Sequence, residues 1–327
     1  MPHLGCPCRC SFCNQHVITG QLRPPGPKQV HETVRQARER IRREPQSVQI
    51  AFFGGSFTAI GRDYMLSLLQ AAQEEVRRLH LGGIRVSTRP DAVDAQVLAE
   101  LKTYGVTAVE LGAQSMDDGV LNLNRRGHTA AQVETAARLI RESGLELGLQ
   151  MMTGLCGDTD EKALATAQRL IACRPRTIRI YPALLFRDTY LYELWEKGAY
   201  APQTLEEAVG LCARLIPLFE EAGVSVIRVG LHAETEMQAQ CAGGPFHPAF
   251  KELCLSRIFY QKLRAALCRN LAESGAVRYT VKVHPQTVSV ALGQKRANAA
   301  ALAQEGFRLH FEQDPAVPAG SFLLLPS

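Results

Sequence analysis

Between residues 48 and 231 short apolar runs alternate with longer helical patterns, and no other feature of this 327-residue sequence constrains its fold as tightly. VQIAFFGG (48–55) is rich in strand formers and ends in glycines, and RDYMLSLLQAAQEEVRRL (62–79) repeats its apolar residues at helical spacing. GIRVSTRPD (83–91) reads as a strand stopped at Pro90, and AVDAQVLAELKTYG (92–105) as a helix closed by glycine. Further strands are predicted at VTAVELGAQS (106–115), LELGLQMMTG (145–154), TIRIYPALL (177–185) and VSVIRVGL (224–231). Helices are predicted between them at 129–144, 161–173 and 204–222. This βαβα order predicts a parallel sheet with right-handed crossovers. The near-continuous apolar strands predict a sheet covered on both faces. A barrel and an open doubly wound sheet both fit. In either, ligands gather at the C-terminal edge of the strands, where Gly55-Ser56, Ser87-Thr88-Arg89, Gln114-Ser115, Gln150 and Tyr181 fall.

From about residue 245 the pattern changes. A long helix over 248–273 is followed by VRYTVKVHP, TVSVALG, a helix near 294–304, GFRLHFEQ and SFLLLP, which together predict a small antiparallel α+β module. No apolar run approaches the roughly 18 residues of a spanning helix, and no secretory signal is readable, so a cytoplasmic location is expected. The net charge of +5 is a mild excess that permits contact with nucleic acid without arguing for it. RQARERIRRE (35–44) reads as the solvated face of a helix.

Four of the ten cysteines fall within eight residues, in MPHLGCPCRCSFCNQ. A disulfide framework does not suit a reducing compartment. A zinc site usually draws on two separated pairs that wrap a tetrahedron, and no second pair follows here. An iron–sulfur cubane fits better, because one looped segment can reach three of its iron corners. Cys6, Cys10 and Cys13 have the spacing C-x3-C-x2-C. Three thiolates leave one iron open to a small molecule with an amine and a carboxylate. Cys8 is read as a non-ligand, because thiols at i and i+2 rarely point at one cluster. The remaining six cysteines are scattered and read as small buried apolar residues.

C-x3-C-x-Φ-C, with Phe12 before Cys13, resembles the signature of the radical S-adenosylmethionine (radical SAM) enzymes. FFGGSFTA (52–59), STRPD (87–91), ELGAQS (110–115), NRRGHT (124–129) and QMMTGLCGD (150–158) fall, in order, where that family has its motifs. The resemblance covers residues 3–232 and is closest to the branch of the Elongator catalytic subunit, with the oxygen-independent coproporphyrinogen oxidases more distant. It implies an α/β fold, a partial (β/α) barrel of parallel strands over 1–232, with a small C-terminal α+β extension over 233–327. It implies an oxidoreductase or transferase with a [4Fe-4S] cluster on Cys6, Cys10 and Cys13 that cleaves S-adenosyl-L-methionine (SAM) to a 5′-deoxyadenosyl radical. A reduced ferredoxin or flavodoxin is the implied electron donor, and no membrane partner is implied. The chain departs from the pattern at Cys8 and Cys156, where relatives usually carry His and Pro. The family also has a strand before the cysteine loop, for which MPHLGCP leaves no room. Either the start lies upstream or the barrel lacks its first strand, and the upstream start is the expectation.

For SAM itself the resemblance points to Phe12 beside the adenine, to Gly54 and Gly55 for close backbone approach, and to Ser56 near the ammonium. It points to Ser87 and Arg89 on the ribose and carboxylate, to Gln114, to Arg126 on the carboxylate, and to Gln150 near the adenosine. Arg179 and Tyr181 are candidates for substrate contact. His128, His232 and His247 are weaker ones, since a lone histidine is more often structural, and Cys156 is assigned no role. Elongator-type enzymes act on the wobble uridine of tRNA, which makes tRNA a possible substrate. They also carry an acetyltransferase-like domain after this part, so acetyl transfer is not expected from these residues alone. Lys282, His284, Lys295 and Arg296 suit RNA phosphates or a merely solvated surface equally. Two alternatives remain: a radical SAM enzyme of tetrapyrrole or small-molecule metabolism, for which 6% aromatic residues is a thin supply of stacking groups, and a non-catalytic iron–sulfur sensor.

Overall fold

Six parallel strands organise the larger part of the molecule. The computed structural model describes residues 4–6, 10–19, 23–231 and 239–326. Helices α1 (Gln15–Thr19) and α2 (Pro27–Arg40) precede β1 (Ile50–Phe52), α3 (Arg62–Leu79), β2 (Ile84–Thr88), α4 (Ala95–Thr103), β3 (Val106–Gln114), α5 (Asp118–Leu123) and α6 (Ala130–Glu142). There follow β4 (Glu146–Thr153), α7 (Asp160–Ala172), β5 (Thr177–Pro182), β6 (Leu185–Phe186), α8 (Tyr190–Glu196), α9 (Leu205–Glu221), β7 (Ser225–Val229) and β8 (Cys241–Gly243). The main sheet runs β1-β2-β3-β4-β5-β7 with every pair parallel, and it curls into a half-barrel.

Several helices start where a side chain takes one of their orphan backbone N–H groups. Asp94, Thr159 and Thr189 cap α4, α7 and α8, and Thr129 with Gln132 and Thr204 with Glu207 form capping boxes on α6 and α9. Each cap contributes about 1 kcal/mol. The basic run after residue 35 lies mainly on α2, which buries Val30 and Val34 and leaves Arg35, Arg38 and Arg40 exposed.

The strands differ from the expectation of apolar side chains on both faces. One face is apolar: Ile84, Val86, Val109, Leu111, Leu147, Leu149, Ile178 and Ile180 are at most 2% exposed. The alternate positions on the other face carry Arg85, Ser87, Glu110, Gln150 and Arg179. Side chains of a strand point alternately to its two faces, and the concave face of a half-barrel encloses a space instead of packing on helices. Glu110 is fully buried at its centre. It accepts two hydrogen bonds from Arg179 (2.8 and 3.0 Å), one from Arg85 (3.3 Å) and one from Gln150 (3.0 Å). Arg85 also donates to Glu146 (2.6 Å) and to Gln49 (2.9 Å). Gly148 makes room for this network, because a Cβ there would stand 2.8 Å from Glu110 Cγ and 2.9 Å from Thr177 Oγ1.

The chain divides into two compact units, one of residues 1–208 and 218–246, the other of 209–217 and 247–327. The second unit holds a 25-residue helix (Phe250–Ser274) and a three-stranded sheet of β9 (Arg278–Val283), β10 (Arg308–Gln313) and β11 (Phe322–Pro326), in the order β10-β9-β11. Its core gathers Phe259, Leu263, Leu267, Tyr279, Val281, Val283 and Phe307. The expected antiparallel pairing holds for β9 with β11, whereas β9 and β10 are parallel. A parallel pair needs a crossover, and TVSVALG supplies part of it as a helix (Val288–Leu292), followed by a second helix (Ala297–Gln304).

Candidate functional site

The cysteine segment is seated on the half-barrel by its own backbone. Ser56 N–H donates to Leu4 O (2.9 Å) and an Arg89 terminal nitrogen donates to Gly5 O (3.3 Å). Further along, Ser11 N–H donates to Asn124 O (3.0 Å), the Ser11 hydroxyl to Asn124 Oδ1 (2.7 Å), and Leu191 N–H to Ser11 O (2.7 Å). Asn124 is fully buried and its amide donates to the carbonyls of Val120 (2.8 Å) and Cys156 (2.9 Å). It therefore ties the cysteine segment to α5 and to the loop after β4. Gly5 sits in the left-handed region (φ 69°), and a Cβ there would stand 2.3 Å from the Ser56 carbonyl oxygen. Gly5→Ala thus cannot keep this seat. The expected result is at least a tenfold loss of bound iron after reconstitution, with little change in far-ultraviolet circular dichroism; normal iron content in the variant contradicts it.

Cys6, Cys10 and Cys13 open on one cavity of about 360 Å³, shared with Gly54, Ser56, Gln114 and Arg126. Each thiol has a polar neighbour: Ser56 Oγ is 3.3 Å from Cys6 Sγ, Arg126 donates to Cys10 Sγ (3.2 Å), and the Gln15 amide donates to Cys13 Sγ (3.3 Å). Burial pushes the Cys13 thiol up to about 12, with Cys10 adding to it. Such a thiol ionises when a cation replaces its proton. Among the described residues no three metal-binding side chains converge on a single ion. A cubane takes each thiolate at a separate iron corner and does not require three side chains on one ion. Three thiols of one short segment that open on one cavity, two of them with N–H donors from Arg126 and Gln15, fit an iron–sulfur cluster.

The same cavity has polar capacity to spare beside the cysteines. Gln114 stands at a register shift in β3 with φ 65°, a conformation few non-glycine residues adopt. Its Oε1 and the Nε of Arg126 are buried and have no hydrogen-bond partner. Arg126 is otherwise fixed by Gly112 O (2.6 Å). A Cβ at Gly112 would crowd both side chains, at 2.9 Å from Gln114 Nε2 and 3.3 Å from an Arg126 terminal nitrogen. Buried polar atoms are normally paired, so this pair marks a place for ligand atoms.

Gly54 (φ 94°) and Gly55 line the cavity. Phe12 lines it too, and its ring is buried among Val120, Met152, Leu155, Leu185 and Leu191. Ser87 accepts from the Gln150 amide (3.2 Å), so both belong to the Glu110 network as well as to the cavity wall. Arg89 lines the cavity with its fork on Asp91, through a 2.7 Å bond and a second contact between Nη2 and Oδ2. Arg179 and Tyr181 are on the wall. His128 is buried beside the Ala113 carbonyl (3.2 Å), and His247 belongs to the other unit, where its Nδ1 accepts from Ala249 N–H (3.1 Å). Cys156 packs in the same apolar cluster as Phe12. Cys8 and His232 lie outside the described residues. The sequence reading missed Gly5, Asn124 and Glu110. Glu110 and Asn124 stood inside quoted motifs, but nothing in a single sequence signals that a carboxylate or a helix-end amide is buried.

Asp158 closes the loop after β4, accepting from Gly154 N–H (3.1 Å) and Thr159 N–H (3.0 Å). Burial pushes its carboxyl up from 3.8 to about 6. The folded protein thus holds this proton more tightly than the unfolded chain. The resulting stability is complete below pH 3.8 and is lost as the pH rises through about 6. Asp158→Asn is expected to remove roughly 2 kcal/mol of this pH dependence between pH 4 and 7. Urea unfolding of both proteins at each pH checks it, and parallel stability curves contradict it.

The sequence matches the Radical SAM superfamily over residues 2–170, more than half of the chain. This chain belongs to the radical SAM superfamily. The Radical SAM C-terminal domain matches over residues 175–259. The chain is 27% identical over 244 residues to the tRNA uridine(34) acetyltransferase of Dehalococcoides mccartyi, covering 64% of this chain and 53% of that protein. It is 29% identical over 265 residues to Elongator complex protein 3 of Homo sapiens, covering 74% and 47%. The chain therefore spans about half the length of these relatives. The solved structure of Methanocaldococcus infernus Elp3 with an N-terminal deletion shares the fold, with a TM-score of 0.64 at 21% identity over 76% of this chain and 64% of that one. The partial barrel and the enzyme class follow from this membership. No described helix is long and apolar enough to cross a membrane.

Proposed function

We propose that residues 1–232 form a radical SAM core in which Cys6, Cys10 and Cys13 hold a [4Fe-4S] cluster and the adjoining cavity holds SAM, with 233–327 as an associated extension that helps to receive RNA. The observation that carries the reading is the opening of three thiols onto the cavity that also holds Gly54, the unpartnered Gln114 Oε1 and the unpartnered Arg126 Nε. When bound, the cluster supplies one electron that splits SAM into methionine and a 5′-deoxyadenosyl radical able to take hydrogen from a substrate. The chain's own part is position and dryness. Asn124 and Gly5 hold the cysteine segment, Arg126 directs positive charge at Cys10, and Gln114 Oε1 accepts from a hydroxyl or ammonium of the ligand. Gly54 lets the methionine end approach the backbone.

The tRNA reading is supported by what the relatives are named for and by charge. Residues 247–327 carry ten Lys and Arg against five Asp and Glu, whereas residues 1–246 carry 27 of each. The whole net charge of +5 thus resides in the last quarter of the chain, and such asymmetry suits phosphate contact. The protein is reconstituted anaerobically with iron and sulfide, then given dithionite and SAM, and deoxyadenosine is measured with and without total tRNA. The reading expects deoxyadenosine in both, with a yield that changes on adding tRNA in a salt-sensitive way. No response to tRNA favours the small-molecule alternative, and no deoxyadenosine at all leaves the sensor.

A further inference from the structure

We propose that Arg228, on β7, is the receptor for an anionic oxygen group, phosphate or carboxylate, of the substrate. The proposal rests on the radical SAM reading, which gives the ends of β1 to β4 to the cofactor and leaves those of β5 and β7 to the substrate.

Arg179 and Arg228 stand directly opposite one another on the neighbouring parallel strands β5 and β7. Arg179 is neutralised by both oxygens of Glu110. The other bonds to those oxygens come from Arg85 and Gln150, so Glu110 has nothing left for a further cation. Arg228 donates once, from Nε to Gly230 O (3.1 Å). Among the described residues its two terminal nitrogens have no partner and no carboxylate pairs with it. It nevertheless lines the same cavity of about 360 Å³, whose wall also holds Tyr181, Phe186, Leu231 and the three cysteines. Burial, with Arg179 adding its like charge against Tyr181, holds Arg228 below the usual arginine range.

A half-buried guanidinium beside another, without a counter-ion, costs stability in the empty protein. An arginine fork matches the paired oxygens of a carboxylate or phosphate. An anion arriving with the substrate removes the cost and fixes which end of the substrate faces the cysteines. Phe186 and Leu231 make part of the same cavity wall apolar, which strengthens such a pairing.

The test uses the full-length, cluster-loaded protein, Arg228→Met and Arg228→Lys, with inorganic phosphate and acetate as probes and potassium chloride at matched ionic strength as control. Thermal midpoints and phenylglyoxal labelling of Arg228, read by peptide mass, are measured in each. Arg228→Met is expected to unfold at a higher temperature than the parent protein in chloride. One anion is expected to stabilise the parent saturably and to protect Arg228 from labelling, with affinity at least tenfold weaker in Arg228→Met and partly restored in Arg228→Lys. Preference for phosphate points to a nucleotide-type substrate and preference for acetate to a carboxylate one. If neither anion protects Arg228, or both stabilise parent and Arg228→Met alike, the assignment is overturned. The labelling arm needs no variant, so it decides even if Arg228→Met does not fold. Deoxyadenosine formation in the same preparation separates the two claims: turnover without protection sinks the Arg228 assignment alone, and absent turnover sinks the radical reading while the labelling still judges Arg228.

Discussion

Alanine at Cys6, Cys10 or Cys13 is expected to lower iron and sulfide retained after anaerobic reconstitution and desalting to background, and SAM-dependent deoxyadenosine by more than about 100-fold. Losing one protein ligand costs more than the 10- to 100-fold typical of outer partners. All three thiols face one cavity, each with a polar neighbour at 3.2–3.3 Å, so none is a spare for another. Cys8→Ala is expected to load iron normally, because Cys8 stands outside the C-x3-C-x2-C spacing of the other three. Iron and sulfide per chain, with the visible absorbance of the cluster, give the answer. A Cys8→Ala protein that stays colourless, together with a functional alanine variant at one of the other three, contradicts the ligand set.

Glu110→Ala carries the second large effect. The carboxylate is fully buried and lies between Arg85 and Arg179. Removing it leaves two guanidiniums on the same face, on β2 and β5, without their shared counter-ion, and breaking a buried pair from one side costs about 3–5 kcal/mol. That is a large fraction of the 5–15 kcal/mol that holds a typical domain together. Glu110→Gln keeps the shape and some hydrogen bonds, and is expected to cost roughly half as much. Urea denaturation reads both. A loss below about 1 kcal/mol in the alanine variant contradicts the picture of Glu110 as the hub of the concave face.

The alternation of strands and helices was legible because each element has a period and an end signal. The α3 pattern, RDYMLSLLQAAQEEVRRL, coincides with Arg62–Leu79. TVSVALG misled because three of its residues are β-branched; packing against the Phe250–Ser274 helix sets its helical conformation instead. The polar lining was harder to read. Arg85, Glu110 and Arg179 are each flanked by apolar residues, so the runs look continuous unless every second position is followed. The cysteine spacing and the glycine motif spoke plainly because their chemistry is local in sequence. Gly5 and Asn124 act through partners 51 and 113 residues away, and no local pattern reports them.

The central claim is that one iron corner is left without a protein ligand and takes SAM. Electron paramagnetic resonance of the dithionite-reduced, anaerobically loaded protein, recorded before and after adding SAM, tests it most directly. The account predicts that the cluster signal shifts on addition and that SAM isotopically labelled at its amine couples to it. A spectrum that is unchanged at saturating SAM contradicts the account.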